Sequence, residues 1–356
     1  MPLSIAIVGL PNVGKSTLFQ ALTAKKVERG DYPFSTTEPN VGIVAVPDQR
    51  VDCLASLCRS QKKVYTNIEF IDVPGLVDGA SRGEGLGNRF LARIRESDAV
   101  LFLLRAFDNS SLVFHRAILD PLGEKEILET ELMLKDLETV SRRVEILGKE
   151  LKAGRNGLAK REWETLLLAQ QLLDQGTMLV EHPWADDEQM LLRAYQFLSL
   201  KPRLYLLNGP SDMVQQQWRG AFLNHNWPWM TLDVHNAWES AGFSMQERME
   251  LGLPVPSELD RLIRHCYGLL DLITFLTTGP DETRAWTLVR GSKAAQAGGV
   301  IHTDLERRFI RAQVIAYQVL LNAGGFSQAR ERGWLRVEGK KYPVQDGDVL
   351  EILHNA

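Results

Sequence analysis

The chain has 356 residues, 24% charged and 44% hydrophobic, with a formal net charge of −4. That length accommodates two or three domains around a sizeable core, and the balance excludes a disordered or fibrous chain. A mildly acidic chain has no global attraction to nucleic acid, so no DNA partner is expected and any RNA contact must come from a local basic patch. Cys53, Cys58 and Cys266 lack metal-ligand spacing and suit a reducing compartment rather than a disulfide framework. The first apolar run begins at Leu3, leaving no room for a signal segment, and no run reaches membrane-spanning length. No membrane partner is expected, and the cytoplasm is the expected location.

In chain order, Leu3 to Val8 reads as a buried strand, and Leu18, Phe19, Ala21 and Leu22 have helical spacing. Between them lies Gly9-Leu10-Pro11-Asn12-Val13-Gly14-Lys15-Ser16-Thr17, the pattern G-x-x-x-x-G-K-[ST]. Its glycines let backbone N–H groups curl round phosphate oxygens, and the new helix adds its positive end. Lys15 supplies a fixed charge for the β and γ phosphates and Ser16 a hydroxyl for Mg²⁺.

The stretch from Asp31 to Gly42 is rich in Pro, Asn, Gly and hydroxyls, and reads as a loop entering a strand at Ile43 to Val46. After a phosphate loop, this is the place of a first switch, in which a Thr hydroxyl completes the Mg²⁺ shell once a γ-phosphate is present. Thr36 is the candidate and Thr37 its rival; alone, the stretch fits a hydroxyl-rich turn equally well. Next, Asn67 to Ile71 reads as a strand ending in Asp72-Val73-Pro74-Gly75. Asp72 there suits a water-mediated Mg²⁺ contact, and Gly75 lets the backbone reach the γ-phosphate. Leu76 follows, where many switch NTPases carry a water-orienting Gln, so unaided turnover is expected to be slow. Gly79, Gly83, Gly85 and Gly87 then mark a second switch.

A strand at Ala99 to Leu104 precedes a change of pattern. Leu137, Val140, Val144, Leu147 and Leu151 alternate spacings of three and four, Gly154 to Gly157 break the run, and Trp163, Leu166, Leu167 and Leu173 resume it. An antiparallel helical hairpin is predicted, with two ordinary packed helices as the alternative. A returning helix through Met190, Leu191, Ala194, Tyr195 and Leu198 leads to a strand at Arg203 to Leu207, then Asn208-Gly209-Pro210-Ser211-Asp212. Asn208 stands at the base-reading position, but Ser211 occupies the place of the acidic reader three residues later, with Asp212 one residue late. A strand at Trp229 to Val234 runs into His235-Asn236-Ala237, roughly where the last base-contacting loop belongs.

From about Leu270 the chain reads as an α+β unit: strands at Ile273 to Leu276 and Ala285 to Val289, a helix near Asp304 to Tyr317, then strands at Leu335 to Tyr342 and Gly347 to Ile352. It holds a basic excess interleaved with Trp286, Tyr317 and Trp334, which fits either a solvated face or an RNA contact. The predicted fold is therefore α/β: a P-loop NTPase domain at 1–127 and 200–269, an inserted helical coiled-coil hairpin at 128–199, and a C-terminal α+β domain at 270–356.

These residues closely resemble the YchF, or Obg-like, ATPases. The marks are the phosphate loop from Gly9 to Thr17, Tyr32-Pro33-Phe34 with Thr36, Glu38, Pro39 and Asn40, and Gly83 to Asn88. Late in the chain, Arg284 to Thr287, Gly299 to Asp304 and Gln345 to Val349 are similar to that family's ubiquitin-like TGS domain. The resemblance implies slow ATP hydrolysis and association with ribosomes or other RNA. It assigns the phosphate cradle to Asn12, Val13, Gly14, Lys15, Ser16 and Thr17, and Mg²⁺ to Ser16 and Thr36. Leu76 suits a family with an apolar residue in place of the catalytic Gln. The family's base-reading motif is Asn-x-x-Glu, and Ser211 departs from it, so strong GTP selection is not expected and ATP preference is open to blunting. His115 lies near the family's proposed catalytic His, one place off, and a surface His is its other reading. The second functional reading is a nucleotide-gated ribosome- or protein-binding module with relaxed ATP/GTP specificity and negligible turnover.

Overall fold

The computed structural model describes residues 3–24, 40–73, 85–108, 119–154 and 157–354. Its strands are, in chain order, β1 (Leu3–Val8), β2 (Val41–Ala45), β3 (Lys62–Val64), β4 (Asn67–Asp72), β5 (Ala99–Arg105), β6 (Arg203–Asn208) and β7 (Trp229–Leu232). The C-terminal strands are β8 (Leu272–Thr278), β9 (Glu282–Val289), β10 (Phe309–Ala316), β11 (Arg336–Glu338) and β12 (Asp348–His354). They form two sheets, ordered β2-β4-β1-β5-β6-β7 and β11-β10-β12-β8-β9-β3. In the first, β1 pairs in parallel with β4 and β5, β5 with β6, and β6 with β7, while β2 runs antiparallel to β4. Central parallel strands are covered on both faces, which is why β5 and β6 are buried along their whole length and read as unbroken apolar runs.

The helices that precede the C-terminal unit in sequence are α1 (Lys15–Ala24), α2 (Gln49–Cys58), α3 (Gly85–Glu96), α4 (Pro121–Lys152), α5 (Leu158–Asp174), α6 (Asp186–Arg193), α7 (Gln216–Asn224), α8 (Val234–Glu239), α9 (Met245–Glu250) and α10 (Glu258–Gly268). Helix α4 starts cleanly because Asp120 caps it, accepting from the Gly123 N–H at 3.0 Å, with Pro121 in its first turn. Helices α4 and α5 pack antiparallel: Arg143 meets Glu162 at 2.8 Å, and Gln170 donates to the Ser141 hydroxyl at 3.1 Å. Val140, Leu147, Leu166 and Ala169 are buried on the seam, an arrangement that suits the hairpin and two ordinary packed helices alike. The returning helix is shorter than its pattern, ending at Arg193: within it Met190 is exposed and Leu192 is buried, while the predicted Leu198 is buried beyond its end.

The second unit adds α11 (Ala294–Ile301), α12 (Thr303–Arg307), α13 (Tyr317–Ala323) and α14 (Phe326–Glu331). Here the expected helix over 304–317 is corrected: only 303–307 is helical, and 309–316 is the strand β10 between β11 and β12. The run Phe-Ile-Arg-Ala-Gln-Val-Ile-Ala is β-branched, and its buried Phe309, Ala312 and Val314 suit a paired strand better than a helix face. The predicted strand at 335–342 shortens to β11, and Val234 opens α8 rather than ending β7. A further feature crosses the units. Strand β3 pairs in parallel with β9, and Val51 and Leu54 of α2, both 0% exposed, pack in one core with Leu276, Ile315 and Leu320. Among the described residues no helix is long and apolar enough to cross a membrane.

Candidate nucleotide-binding site

In an open parallel sheet, ligands collect at the carboxyl ends of the strands. Here the ends of β1, β5, β6 and β7 meet around a cleft of about 660 Å³. Asn12, Gly14, Lys15, Ser16 and Thr17 line it from the β1–α1 loop, and Asn208, Gly209, Pro210, Val234 and His235 from the opposite end. Val13, also predicted to cradle phosphate, is 1% exposed, so only its backbone faces that role.

The phosphate loop is held by tight packing. Gly14 has φ +101°, and a Cβ there would lie 2.7 Å from the Asn208 Nδ2 atom, so no side chain fits. Asn12 takes the left-handed region at φ 64°, which its short polar side chain tolerates. Asn208, 6% exposed, donates from Nδ2 to the Val13 carbonyl at 2.8 Å and accepts the Val234 N–H at Oδ1, 3.0 Å. One amide therefore ties the phosphate loop to the loop at the base end.

Lys15 is 8% exposed and donates to the carbonyls of Gly9 and Leu10, 2.9 Å each. Burial pushes its ammonium below the usual lysine range, and the Asp72 and Glu124 carboxylates oppose that shift. Ser16 donates from Oγ to Asp72 Oδ2 at 3.3 Å. Burial likewise raises the Asp72 carboxyl above its ordinary value, against the pull of Lys15 and the Ser16 hydrogen bond. A desolvated cation beside a hydroxyl–carboxylate pair is electrostatically prepared for a polyanion that brings its own counter-ion. Below it, Glu124 in the first turn of α4 accepts the Arg105 N–H at 2.9 Å and pairs with the Arg105 guanidinium at 3.4 Å. The foot of the hairpin is thus pinned to the end of β5 beside the cleft.

Ser211 stands apart from these lining residues. Its hydroxyl shares a hydrogen bond with Thr231 Oγ1 at 3.1 Å, and its carbonyl accepts from Arg219. The stretch His235-Asn236-Ala237 is not a loop but the first turns of α8, capped by Asp233, which accepts the Asn236 N–H at 3.0 Å. Phe107, Asp108, Met213 and Asp233 also line the cleft, and motif reading passed over them as lining residues. The strand-end rule that found Asp72 and Asn208 would have found Phe107 and Asp108 past β5; nothing in the sequence marks Met213. Thr36, Gly75, Leu76 and His115 lie outside the described residues.

Comparison with known proteins bears on both units. The family model described as a 50S ribosome-binding GTPase matches residues 4–139, and the YchF-GTPase_C model, described as a protein of unknown function, matches residues 272–355. The chain is 41% identical to the Ribosome-binding ATPase YchF of Haemophilus influenzae, with 100% of both chains covered. It is 40% identical to the protein of that name from Bacillus subtilis, again over 100% of each. The solved structure of the Schizosaccharomyces pombe YchF GTPase superposes with a TM-score of 0.86 at 31% identity, covering 99% of this chain and 97% of that one.

Proposed function

We propose, from the premise that this chain belongs to the YchF family, that it is a Mg²⁺-dependent ATPase of slow turnover that associates with ribosomes or RNA through its helical hairpin and TGS domain. The observation that carries this reading is that Lys15 and Ser16 line one cleft while the Ser16 hydroxyl donates to the Asp72 carboxylate. ATP and the ribosome enter from the names of the full-length relatives, which are called ribosome-binding ATPases.

In this reading the amides from Asn12 to Thr17 cradle the triphosphate and Lys15 turns from its loop carbonyls to the β and γ phosphates. The donor set fits Mg²⁺, which takes hard oxygens and is bound by one or two protein groups plus phosphates and water. Ser16 would hold it with Thr36, and Asp72 through water; when bound, the ion neutralises charge on the β and γ oxygens. Leu76 offers an attacking water nothing, which is the reason for slow turnover, and His115 is the candidate to orient that water. The domain limits 1–127 with 200–269, 128–199 and 270–356 belong to the same proposal, with β3 and α2 built into the C-terminal core. Single-turnover hydrolysis of ATP with and without ribosomes tests it. Slow phosphate release that ribosomes alter is expected; no release in either condition would sink the enzyme.

One observation favours the second reading, a nucleotide-gated binding module with relaxed specificity and negligible turnover. Ser211 is occupied with Thr231 and Arg219, while Phe107, Pro210 and Met213 line the same cleft. Base discrimination would then rest on shape rather than on an acidic partner. Calorimetric titration with ATP and GTP in Mg²⁺ separates the two: tighter ATP supports the ATPase, equal affinities support the relaxed module.

A further inference from the structure

We infer that the groove beside Trp334 in the C-terminal unit is a stacking site for an unpaired RNA base. This rests on the ribosome-associated reading above for the class of nucleic acid, and on the groove itself for the site. The groove, of about 480 Å³, is lined by Val319, Asn322, Gly333, Trp334 and Arg336. That size falls within the range of pockets that take small ligands.

Several of these residues suit a base. Trp334 is 41% exposed although it is a large aromatic, and its backbone is fixed, its N–H donating to the Ala329 carbonyl at 2.9 Å. The Arg332 guanidinium lies 4.9 Å from the centre of the Trp334 ring, an arrangement that strengthens stacking and supplies charge. Asn322, whose Oδ1 accepts from Gln318 Nε2 at 3.4 Å, turns its amide donor to a base edge in this reading, and Val319, 36% exposed, offers an apolar wall. Arg336 is held in place by Tyr342, to whose hydroxyl it donates at 3.0 Å, and by Glu338 at 3.4 Å.

Charge decides in favour of a polyanion over a protein strand at the free β11 edge. Arg330, Arg332, Lys340 and Lys341 are exposed and form no ion pair among the described residues, while only Glu331 and Glu338 oppose them within 330–341. Such a face follows a phosphate backbone while the indole takes a base, the combination that sequence-tolerant single-strand binders use. A duplex keeps its bases stacked and leaves the ring without a partner.

The test uses the full-length protein, a labelled oligouridine and a labelled RNA duplex of equal length, read by fluorescence anisotropy. The single strand is expected to bind more tightly than the duplex. Trp334→Ala is expected to weaken single-strand binding about tenfold and Trp334→Phe to retain most of it. Replacing Lys340 and Lys341 by Ala should lower the salt slope by about 1.4, at about 0.7 per phosphate contact. If Trp334→Ala loses ATP binding or its circular dichroism changes, Arg332→Glu, on the surface, carries the test with the same expected loss. Unchanged binding in a folded variant, or preference for the duplex, would overturn the inference. Sedimentation with ribosomes keeps the two readings apart. A wild-type chain that co-sediments while Trp334→Ala leaves oligouridine binding unchanged refutes the groove alone. One that discriminates the oligonucleotides without co-sedimenting supports the groove and refutes the ribosome.

Discussion

Arg50 and Asp346 meet at 2.7 Å across 296 positions of sequence, and Arg50 also pairs with Asp48 at 2.7 Å. Asp346 in turn accepts the Thr274 N–H at 2.8 Å, so one carboxylate joins α2 to β8. The segment held in this way lies in sequence between β2 and β4, the strand that ends at Asp72. The C-terminal unit is therefore fastened to the connection that leads from β2 into the strand carrying Asp72.

Cutting this fastening is expected to cost stability in two unequal ways. Arg50→Ala leaves Asp48, whose side chain is only 11% exposed, with the backbone N–H of residue 50 but without its guanidinium partner, and should cost about 2 kcal/mol. Because Asp346 is 50% exposed, the coupling of Arg50 to Asp346 in a double-mutant cycle should be only about 0.5–1 kcal/mol. Leu54→Ala, in the shared apolar core, should cost about 3 kcal/mol. Denaturant unfolding of the variants checks the order; a loss at Leu54 smaller than at Arg50 would contradict it.

Lys15→Ala should lower triphosphate affinity by roughly a hundredfold or more, the loss of charge-assisted bonds to two phosphates. The fold should not suffer, since the ammonium is 8% exposed and burial already disfavours its charge. Calorimetry and a thermal melt on the same preparation read both quantities. Retained affinity would remove Lys15 from the site.

Asn208→Ala is expected to weaken ATP and GTP by the same factor. Its amide is engaged by the Val13 carbonyl and the Val234 N–H, so its removal displaces two loops before it removes any contact to a base. Leaving those two buried groups without partners should also cost about 2–3 kcal/mol. A change in the ATP-to-GTP ratio would show instead that the side chain reads the base directly.

Burial pushes the Cys266 thiol well above its ordinary value of 9.0, and the Tyr205 phenol well above 10.0. A raised folded-state value means the unfolded chain releases its proton first. The stability these groups contribute is complete below about pH 9 and is lost as pH rises, each costing about 1.4 kcal/mol per pH unit beyond its ordinary value. Chemical unfolding from pH 8 to 11 should show this decline, less steep in Cys266→Ala. A thiol reagent at pH 8 should modify exposed Cys53 first and leave Cys266 untouched until the protein unfolds.

Local pattern was enough to specify the phosphate loop, because a strand, two glycines, a lysine and a helix within a few positions have one local solution. It also determined the strand-end positions of Asp72 and Asn208 and the seam of the α4–α5 hairpin, since short-range periodicity and turn chemistry suffice for each. It misread 309–316 as helical, because β10 owes its form to β11 and β12 on either side, and a lone segment carries no record of its partners. That Asn208 clamps Val13 to Val234, and that Ser211 bonds Thr231, emerges from the folded chain. It alone decided that β3 and α2 complete the C-terminal core, with Arg50 reaching Asp346. Those are pairings between positions far apart in the chain, fixed by packing and by the need to satisfy buried polar groups, which no local pattern encodes.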